Sequence, residues 1–311
     1  MTLPALLENR LSVPVIAAPL FIISQPELVL AQCRAGVVGS FPSLNARPSG
    51  VFEQWLQRLT AELTPADAPF AVNLIVHRSN DRLAEDVALC VKYKVPMVIT
   101  SLGARPEINE AIHSYGGIVF HDVINDIFAH KAIEKGADGL IAVAAGAGGH
   151  AGTLSPFALI QEIREWFDGP LALSGSIANG NAVAAARAMG ADVGYVGSAF
   201  IATQEAAAAP AYKQMIVDSE AEDIVYSNLF TGVHGNYLRP SIVAAGLDPN
   251  ALATSDPSKM DFASLNEGKK AWRDIWGCGQ GIGAIHEVVP AAELVARLGR
   301  EYRAALARLT A

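Results

Sequence analysis

The chain has 311 residues, of which 51% are hydrophobic and 17% are charged, and its formal net charge is −8. This composition excludes a disordered or coiled-coil protein. An acidic chain without a run of basic residues also lacks the electrostatic signature of proteins that bind nucleic acid or anionic membranes. The cysteines at Cys33, Cys90 and Cys278 lie far apart, so neither a disulfide framework nor a cysteine metal site is predicted. This cysteine usage indicates a reducing compartment, so we expect a cytoplasmic protein. Because Pro14 and Pro19 interrupt the apolar stretch near the start, we expect it to be soluble.

Short apolar runs rich in β-branched residues alternate with glycine-rich turns and amphipathic helices over roughly the first two-thirds of the chain. Eight runs are predicted to be strands: Val13–Ala18, Val37–Ser40, Phe70–Ile75, Met97–Ser101, Gly117–His121, Gly139–Ala144, Leu171–Ser174 and Val193–Val196. Nearly continuous apolar strands indicate a parallel sheet that is covered on both faces. The pattern therefore predicts a (β/α)8 TIM barrel, with an open doubly wound sheet as the alternative.

Local signals predict where several helices begin and end. Ser24 and Glu27 have the spacing of a capping box, and Gly36 is expected to end the helix that follows. Ser155-Pro156 is expected to begin a helix, which Gly169-Pro170 would stop. The sequence Gly-Ala-Asp occurs before the sixth and eighth predicted strands, which indicates two equivalent helix–strand junctions.

The regular pattern stops after Phe200, and the polar, turn-rich residues of about 220–270 are interpreted as an insertion packed over the barrel mouth. A helix is expected near Lys269–Trp276, followed by the glycine-rich segment Gly277–Gly283 and a closing amphipathic helix at Glu287–Ala311. We therefore predict one barrel domain spanning 1–311, in which 220–280 form a cap over the C-terminal face.

Small polar residues follow the seventh and eighth predicted strands, where TIM barrels often bind phosphate. Ser174-Gly175-Ser176 and Gly197-Ser198 supply hydroxyl groups and backbone N–H groups that bind an anion without a lysine. The alternative is that both pairs simply turn strands into helices.

The segment Gly146–Gly152 follows the sixth predicted strand. Gly148 and Gly149 would let the backbone approach a flat ligand, and His150 would project from this loop as a general base. The alternative is an exposed loop histidine. His121 ends the fifth strand and is predicted to line the site, whereas Asn73, in an apolar strand, needs buried partners from either a bound heterocycle or a neighbouring backbone. No histidine pair has metal-ligand spacing, so no metal is predicted.

These elements, taken in order, resemble the nitronate monooxygenase (2-nitropropane dioxygenase) family over roughly residues 10–205. The segments that carry the resemblance are Pro14-Val15-Ile16-Ala17-Ala18-Pro19, Val72-Asn73-Leu74, Ala147-Gly148-Gly149-His150-Ala151-Gly152, Leu173-Ser174-Gly175-Ser176-Ile177-Ala178-Asn179-Gly180 and Gly197-Ser198-Ala199-Phe200-Ile201-Ala202-Thr203. A weaker echo occurs at Gly279-Gln280-Gly281.

The resemblance implies an FMN-dependent enzyme that oxidises alkyl nitronates with molecular oxygen to a carbonyl compound and nitrite. It assigns the flavin phosphate to Gly175-Ser176 and Gly197-Ser198, and the catalytic role to His150. The flavin ring would contact Ala17, Ala18, Asn73 and Gln280. The partners implied are a small-molecule substrate and oxygen, and a homo-oligomer is compatible with the sequence.

This chain departs from the family pattern at two places, and alternatives remain open. It has Ala17-Ala18-Pro19 where many members carry Gln or Met, and His121-Asp122 where some relatives present a lysine. An NAD(P)H-dependent flavin reductase acting on a quinone or an enoyl thioester is the second hypothesis. A non-enzymatic FMN- or sugar-phosphate-binding module and a flavin-free phosphosugar isomerase are the third and fourth.

Overall fold

Eight short parallel strands alternate with helices in the computed structural model, which describes residues 3–48, 50–254 and 274–310. The barrel strands are β1 Val15–Ala17, β2 Gly39–Pro42, β3 Phe70–Ile75, β4 Met97–Ser101, β5 Ile118–Val123, β6 Gly139–Val143, β7 Leu171–Ser174 and β8 Val193–Val196. The helices are α1 Pro26–Ala35, α2 Val51–Glu62, α3 Leu83–Lys92, α4 Pro106–His113, α5 Asp126–Glu134, α6 Pro156–Arg164, α7 Gly180–Met189, α8 Ser198–Ile201, α9 Pro210–Val217, α10 Arg239–Ala244 and α11 Ala291–Thr310.

The sheet closes on itself. Each strand from β2 to β7 pairs in parallel with the next strand in sequence, and β8 pairs with both β7 and β1. A parallel bridge between Ile16 and Val38 joins β1 to β2, and the Ala17 N–H donates to the Val38 carbonyl at 2.8 Å. The predicted TIM-barrel class is confirmed, and the open doubly wound alternative is wrong.

The interior of the barrel is filled by apolar side chains at alternating positions of the strands, including Ile16, Ile99, Phe120 and Ile141. Side chains at the intervening positions face the helices and form separate clusters there. Burial on both faces explains why the strands are nearly continuously apolar in sequence. It also leaves the ends of the strands as the places where polar side chains can meet a ligand.

The two Gly-Ala-Asp junctions have the same structural role. Asp138 accepts a hydrogen bond from the Val119 N–H of β5 at 2.7 Å, and Asp192 accepts one from the Leu171 N–H of β7 at 2.9 Å. Each carboxylate thus satisfies a backbone donor at the beginning of the neighbouring strand, which anchors the end of the barrel opposite the predicted site.

The helix ends in the structure differ in part from those predicted from the sequence. The capping box at Ser24 is wrong: Gln25 is the N-cap of α1, and the Ser24 hydroxyl instead accepts from the Leu20 N–H at 3.0 Å. Gly36 does end α1, in the left-handed conformation at φ 91°. Ser155-Pro156 begins α6 as predicted, but α6 ends at Arg164, before the expected stop at Gly169-Pro170.

A second, small antiparallel sheet lies over the strand ends, and we call it the cap sheet. It consists of Ile224–Ser227, Gly235–Leu238 and Gly149–His150, in that order. The predicted loop Gly146–Gly152 is therefore wrong in part, because its centre is a strand that pairs with Gly235 and Asn236, far later in the sequence. The helix expected near 269–276 falls mostly outside the described residues, and the closing helix is present as α11.

Candidate active site

A cavity of about 730 Å³ opens at the carboxyl ends of the barrel strands, between the barrel and the cap sheet. Most of its lining is apolar. Of the thirteen residues predicted from the sequence, eleven line it: Ala18, Asn73, His121, Gly148, Gly149, His150, Ser174, Gly175, Ser176, Gly197 and Ser198. The barrel brings these residues together because all of them lie in, or follow, the carboxyl-terminal half of a parallel strand.

The remaining two predicted residues, Ala17 and Gln280, are not part of the lining. Ala17 is fully buried in β1, and its carbonyl accepts a hydrogen bond from the Ser40 hydroxyl. Gln280 is exposed, and its N–H donates to the Gly146 carbonyl at 2.9 Å. Its neighbours Gly279 and Gly281 line the cavity, so Gln280 belongs to the segment that borders the site.

His150 reaches the cavity from the cap sheet. Its backbone pairs with Gly235, and its Nε2 atom lies 3.1 Å from the Thr231 hydroxyl oxygen. Burial lowers the pKa of the imidazole to about 4, because a cation is poorly solvated there. At neutral pH the ring is therefore neutral, which is the form required of a general base or a hydrogen-bond partner.

Three side chains near the ends of β3, β4 and β5 are joined by hydrogen bonds along the cavity wall. We call these side chains, Asn73, Ser101 and Asp122, the barrel rim. The Asn73 Nδ2 group donates to the Ile99 carbonyl at 3.1 Å and to the Ser101 hydroxyl at 2.7 Å. The Ser101 hydroxyl donates to Asp122 Oδ2 at 2.5 Å. Because a carbonyl only accepts, the orientation of the amide is fixed, and Oδ1 is the atom that Asn73 offers to a ligand.

Asp122 is the unusual member of the barrel rim. Its Oδ1 atom is buried and has no hydrogen-bond partner among the described residues. Desolvation raises the pKa of this carboxyl to about 6, although the Ser101 hydroxyl opposes the shift. The cavity thus contains a carboxyl group that changes charge close to neutral pH.

His121 lines the cavity from β5 but is held by the barrel itself. Its Nδ1 atom lies 2.6 Å from the Thr100 hydroxyl, and its side chain is buried. Burial lowers the pKa of the imidazole to about 4. The side chain is consequently a neutral part of the wall, in line with its predicted place there.

The glycines of the site have two different roles. A Cβ atom at Gly148 would lie 2.8 Å from the Gly279 nitrogen, and one at Gly175 would lie 2.8 Å from the Ala145 carbonyl oxygen. These two positions require glycine because protein backbone passes there. A Cβ atom at Gly149 would meet nothing within 4 Å, so open space lies beside this residue, whereas one at Gly197 would be in ordinary contact with Ala18 and Leu20 at 3.6 Å.

Three residues of the lining have strained backbone. Ile22, Leu102 and Ser176 adopt φ values of 58°, 61° and 56° without being glycine. Such conformations cost on the order of 1–3 kcal/mol each and tend to occur at ligand-binding sites. The concentration of strain around one cavity is an independent reason to regard it as the functional site.

Sequence reasoning missed the contributions of the cap. Thr231 contacts His150, and the aromatic rings of Tyr212 and Trp276 stack at 4.7 Å in the cavity wall. These contacts join residues that are far apart in sequence, so no local pattern indicates them.

Within the described ranges no cluster of His, Cys, Asp and Glu could hold a metal ion. No helix among the described residues is long and apolar enough to span a membrane.

Known proteins resemble the chain in sequence and in structure. The family model described as nitronate monooxygenase matches residues 80–301. A curated nitronate monooxygenase of Paraburkholderia phytofirmans is 28% identical, and the alignment covers 95% of this chain and 94% of the relative. An indene-carboxyl-CoA dehydrogenase of Rhodococcus jostii is 24% identical over 74% of this chain and 64% of its own.

A solved structure of a nitroalkane oxidase from Streptomyces ansochromogenes has the same fold, with a TM-score of 0.84. It is 23% identical, and the match covers 98% of this chain and all of the other.

Proposed function

The chain belongs to the nitronate monooxygenase family, and from this premise we propose that it is an FMN-dependent oxidoreductase that converts alkyl nitronates or nitroalkanes and O2 into a carbonyl compound and nitrite. The observation that carries the proposal is the cavity in which two glycine–serine corners, at 175–176 and 197–198, lie with His150. We also propose that residues 1–311 form a single barrel domain, in which residues 220–280 are the cap.

The residues present fit a flavin mononucleotide. The cavity volume of about 730 Å³ is in the range of cofactor and ligand sites. The corner at 175–176 offers the Gly175 N–H group and the Ser176 hydroxyl to a phosphate, since the Ser176 N–H already donates to the Gly146 carbonyl. The acceptor Oδ1 of Asn73 matches a ring N–H group, and the apolar walls match a planar ring system. We therefore assign the phosphate to the two corners and the ring to the region between Ala18, Asn73 and His150.

FMN bound there would accept electrons from the substrate and pass them to oxygen. The protein's own contribution to the chemistry is at His150. A nitro group acidifies the neighbouring C–H bond, and the neutral imidazole removes that proton, or else it binds the anion of a preformed nitronate. General-base catalysis of this kind contributes roughly 10²–10⁴-fold in rate.

The side chains of the cavity wall determine how water and charge affect the reacting atoms. The apolar lining excludes water from the reacting atoms, which strengthens each remaining polar contact. Asp122 in its protonated form adds no negative charge to the cavity, whereas its ionised form would oppose an anionic nitronate. Because the pKa of this carboxyl is raised to about 6, the charge of the cavity depends on pH.

The proposal is tested on the purified protein. We expect a yellow protein with the visible spectrum of a flavin that acid releases as FMN, oxygen uptake with a nitronate in air, and nitrite as product. A colourless protein that does not take up added FMN would contradict the cofactor assignment. A yellow protein without nitronate turnover would contradict the reaction.

One observation favours a second candidate function, a flavin reductase acting on an enoyl thioester or a quinone. The cavity is large and mostly apolar, and the CoA dehydrogenase that the chain resembles acts on a thioester by its name. Rapid loss of flavin colour on adding NADH or NADPH under nitrogen would favour this reading. Unchanged colour, with nitronate turnover in air, would exclude it.

A further inference from the structure

One hydroxyl group of the cavity belongs to a residue that no sequence pattern singled out. Tyr195 lies in β8, lines the cavity and is only 7% exposed. Its hydroxyl forms no hydrogen bond with any residue that the structure describes, and protein does not fully enclose it. A hydroxyl that has lost its bonds to water and found no other partner is unfavourable. Tyr195 therefore offers a hydrogen bond to a molecule that occupies the cavity.

The strand pairing places Tyr195 between the part of the cavity assigned to the phosphate and the part assigned to the ring. On one side Tyr195 pairs with Ser174 of β7, which leads into the corner at 175–176. On the other side it pairs with Ile16 of β1, two residues before Ala18. Neighbouring parallel strands lie about 4.8 Å apart. Tyr195 is consequently adjacent to both assigned regions.

A second hydroxyl lies beside that of Tyr195. Ser174 also lines the cavity, and residues in register on neighbouring strands point to the same face of a sheet. The Ser174 hydroxyl likewise has no hydrogen-bond partner in the described part of the chain. A hydroxyl can both donate and accept. The two groups together suit a ligand that carries hydroxyl groups of its own.

The phenol of Tyr195 remains protonated in this position. Burial raises the pKa of the phenol well above its ordinary value, and the nearby charge of Asp122 acts in the same direction. Near neutral pH the side chain is therefore an uncharged hydroxyl. It can bind a neutral polar group, and it does not remove a proton from a substrate.

We propose that the hydroxyl groups of Tyr195 and Ser174 bind the ribityl chain of the flavin, between its phosphate and its ring. This inference rests on the proposed cofactor and adds Tyr195 to its binding site. The ribityl chain joins the phosphate to the ring and carries several hydroxyl groups, for which the apolar walls of the cavity provide no partner. Tyr195 and Ser174 provide partners between the two assigned regions, so they favour a flavin with this chain over the bare ring.

The test compares three flavins on the full-length protein after bound flavin has been removed. FMN has both chain and phosphate, riboflavin lacks the phosphate, and lumiflavin has a methyl group in place of the chain. Tyr195→Phe removes one hydroxyl, and Ser174→Ala removes the other. Tyr302→Phe is the matched control, because Tyr302 is 8% exposed but accepts a hydrogen bond from Arg187 in α11, away from the cavity lining. Dissociation constants are measured from the change in flavin fluorescence.

We expect Tyr195→Phe to weaken the binding of FMN and riboflavin about tenfold and that of lumiflavin by about twofold at most, because only the first two lose a hydrogen bond. Ser174→Ala should change the affinities in the same sense, and Tyr302→Phe should leave them unchanged. If Tyr195→Phe keeps the wild-type preference for riboflavin over lumiflavin, the inference is overturned and the cofactor assignment stands. A wild-type protein that binds none of the three flavins would contradict the assignment and the inference together.

A crystal structure of the wild-type protein with bound FMN provides a second measurement that needs no variant. A ribityl oxygen within hydrogen-bond distance of the Tyr195 hydroxyl would support the inference. Bound FMN whose chain is directed away from Tyr195 would overturn it, even if the phenylalanine variant fails to fold.

Discussion

The barrel rim and the cap sheet both line one cavity, but they are built in different ways. Asn73, Ser101 and Asp122 end three buried strands that pair in register, so their positions follow from the core. His150 belongs to a strand of two residues that is held by Gly235 and Thr231. One side is fixed by the hydrophobic packing of the barrel, and the other by a few hydrogen bonds.

This difference suggests that the two regions have separate functions. The rigid side offers fixed acceptors and turns that suit a tightly bound cofactor. The cap side carries His150, the proposed general base, so we expect a change in the cap to alter the chemistry without disturbing the barrel. The predictions below test whether substitutions on the two sides have separable effects.

The largest effect is expected at the cap side. His150→Ala should reduce nitroalkane turnover by about 10²–10⁴-fold and leave bound flavin in place, because the proposed cofactor contacts lie mainly in the barrel. Steady-state oxygen uptake and the visible spectrum measure the two properties. Wild-type turnover in this variant would remove His150 from the mechanism, and loss of the flavin would show that the two sides are not separable.

On the barrel side, His121 should make stability depend on pH. The pKa of its imidazole is lowered from 6.5 to about 4 in the folded protein, so below pH 6.5 the unfolded chain binds a proton that the folded chain does not. Stability is therefore present above the unfolded pKa and is lost as pH falls, by about 2 kcal/mol at about pH 5.

Urea unfolding at about pH 7.5 and pH 5 measures this, with His121→Gln as the comparison. The glutamine variant should lose about 2 kcal/mol less stability between the two pH values than the wild-type protein. Asp122 contributes a pH dependence of opposite sign, because its raised pKa favours the folded state at low pH. This contribution is present in both proteins and cancels in the comparison. Identical pH dependence would contradict the burial of a neutral His121.

The segments Gly146–Gly152 and Gly277–Gly283 approach each other so closely that one added methyl group should lower the stability of the protein. In Gly148→Ala the new Cβ would lie 2.8 Å from the Gly279 nitrogen, which forces the segments apart at a cost of about 1–3 kcal/mol. In the matched variant Gly283→Ala the new Cβ meets no atom within 4 Å. Thermal unfolding should show a clear loss of stability only in the first variant, and equal behaviour of the two would refute the close approach.

The smallest effect is expected from the charge of the barrel rim. Nitrate, a planar anion, should bind about tenfold more weakly at about pH 7 than at about pH 5, because Asp122 ionises in between and two charges near a protein surface interact by on the order of 1–2 kcal/mol. Calorimetry on Asp122→Asn should show affinity that is independent of pH over this range. A wild-type affinity that does not change would show that Asp122 keeps one charge state throughout.

The same two regions show how far the sequence can be interpreted. The strand bounds at Phe70–Ile75, Met97–Ser101, Leu171–Ser174 and Val193–Val196 agree with the structure, because apolar runs with glycine punctuation are local signals. The serine–glycine corners at the ends of β7 and β8 could be placed in the site for the same reason, since the barrel brings all its strand ends to one face.

The remaining features depend on pairing between distant segments. The short strand at 149–150 forms only because residues 235–236 pair with it, so the sequence indicates a loop there. Thr231 could not be connected to His150 for the same reason. The capping box at Ser24 failed because its hydroxyl is already bonded to Leu20, in a turn that no pattern reveals.

We propose that the corners at 175–176 and 197–198 hold the phosphate of FMN, with the isoalloxazine ring beside His150. A crystal structure of the protein soaked in excess FMN tests it most directly. The account predicts one phosphate group contacting both corners, and the ring between the barrel rim and the imidazole. Corners that stay empty in saturating FMN, or that lie too far apart to share one phosphate, would contradict it.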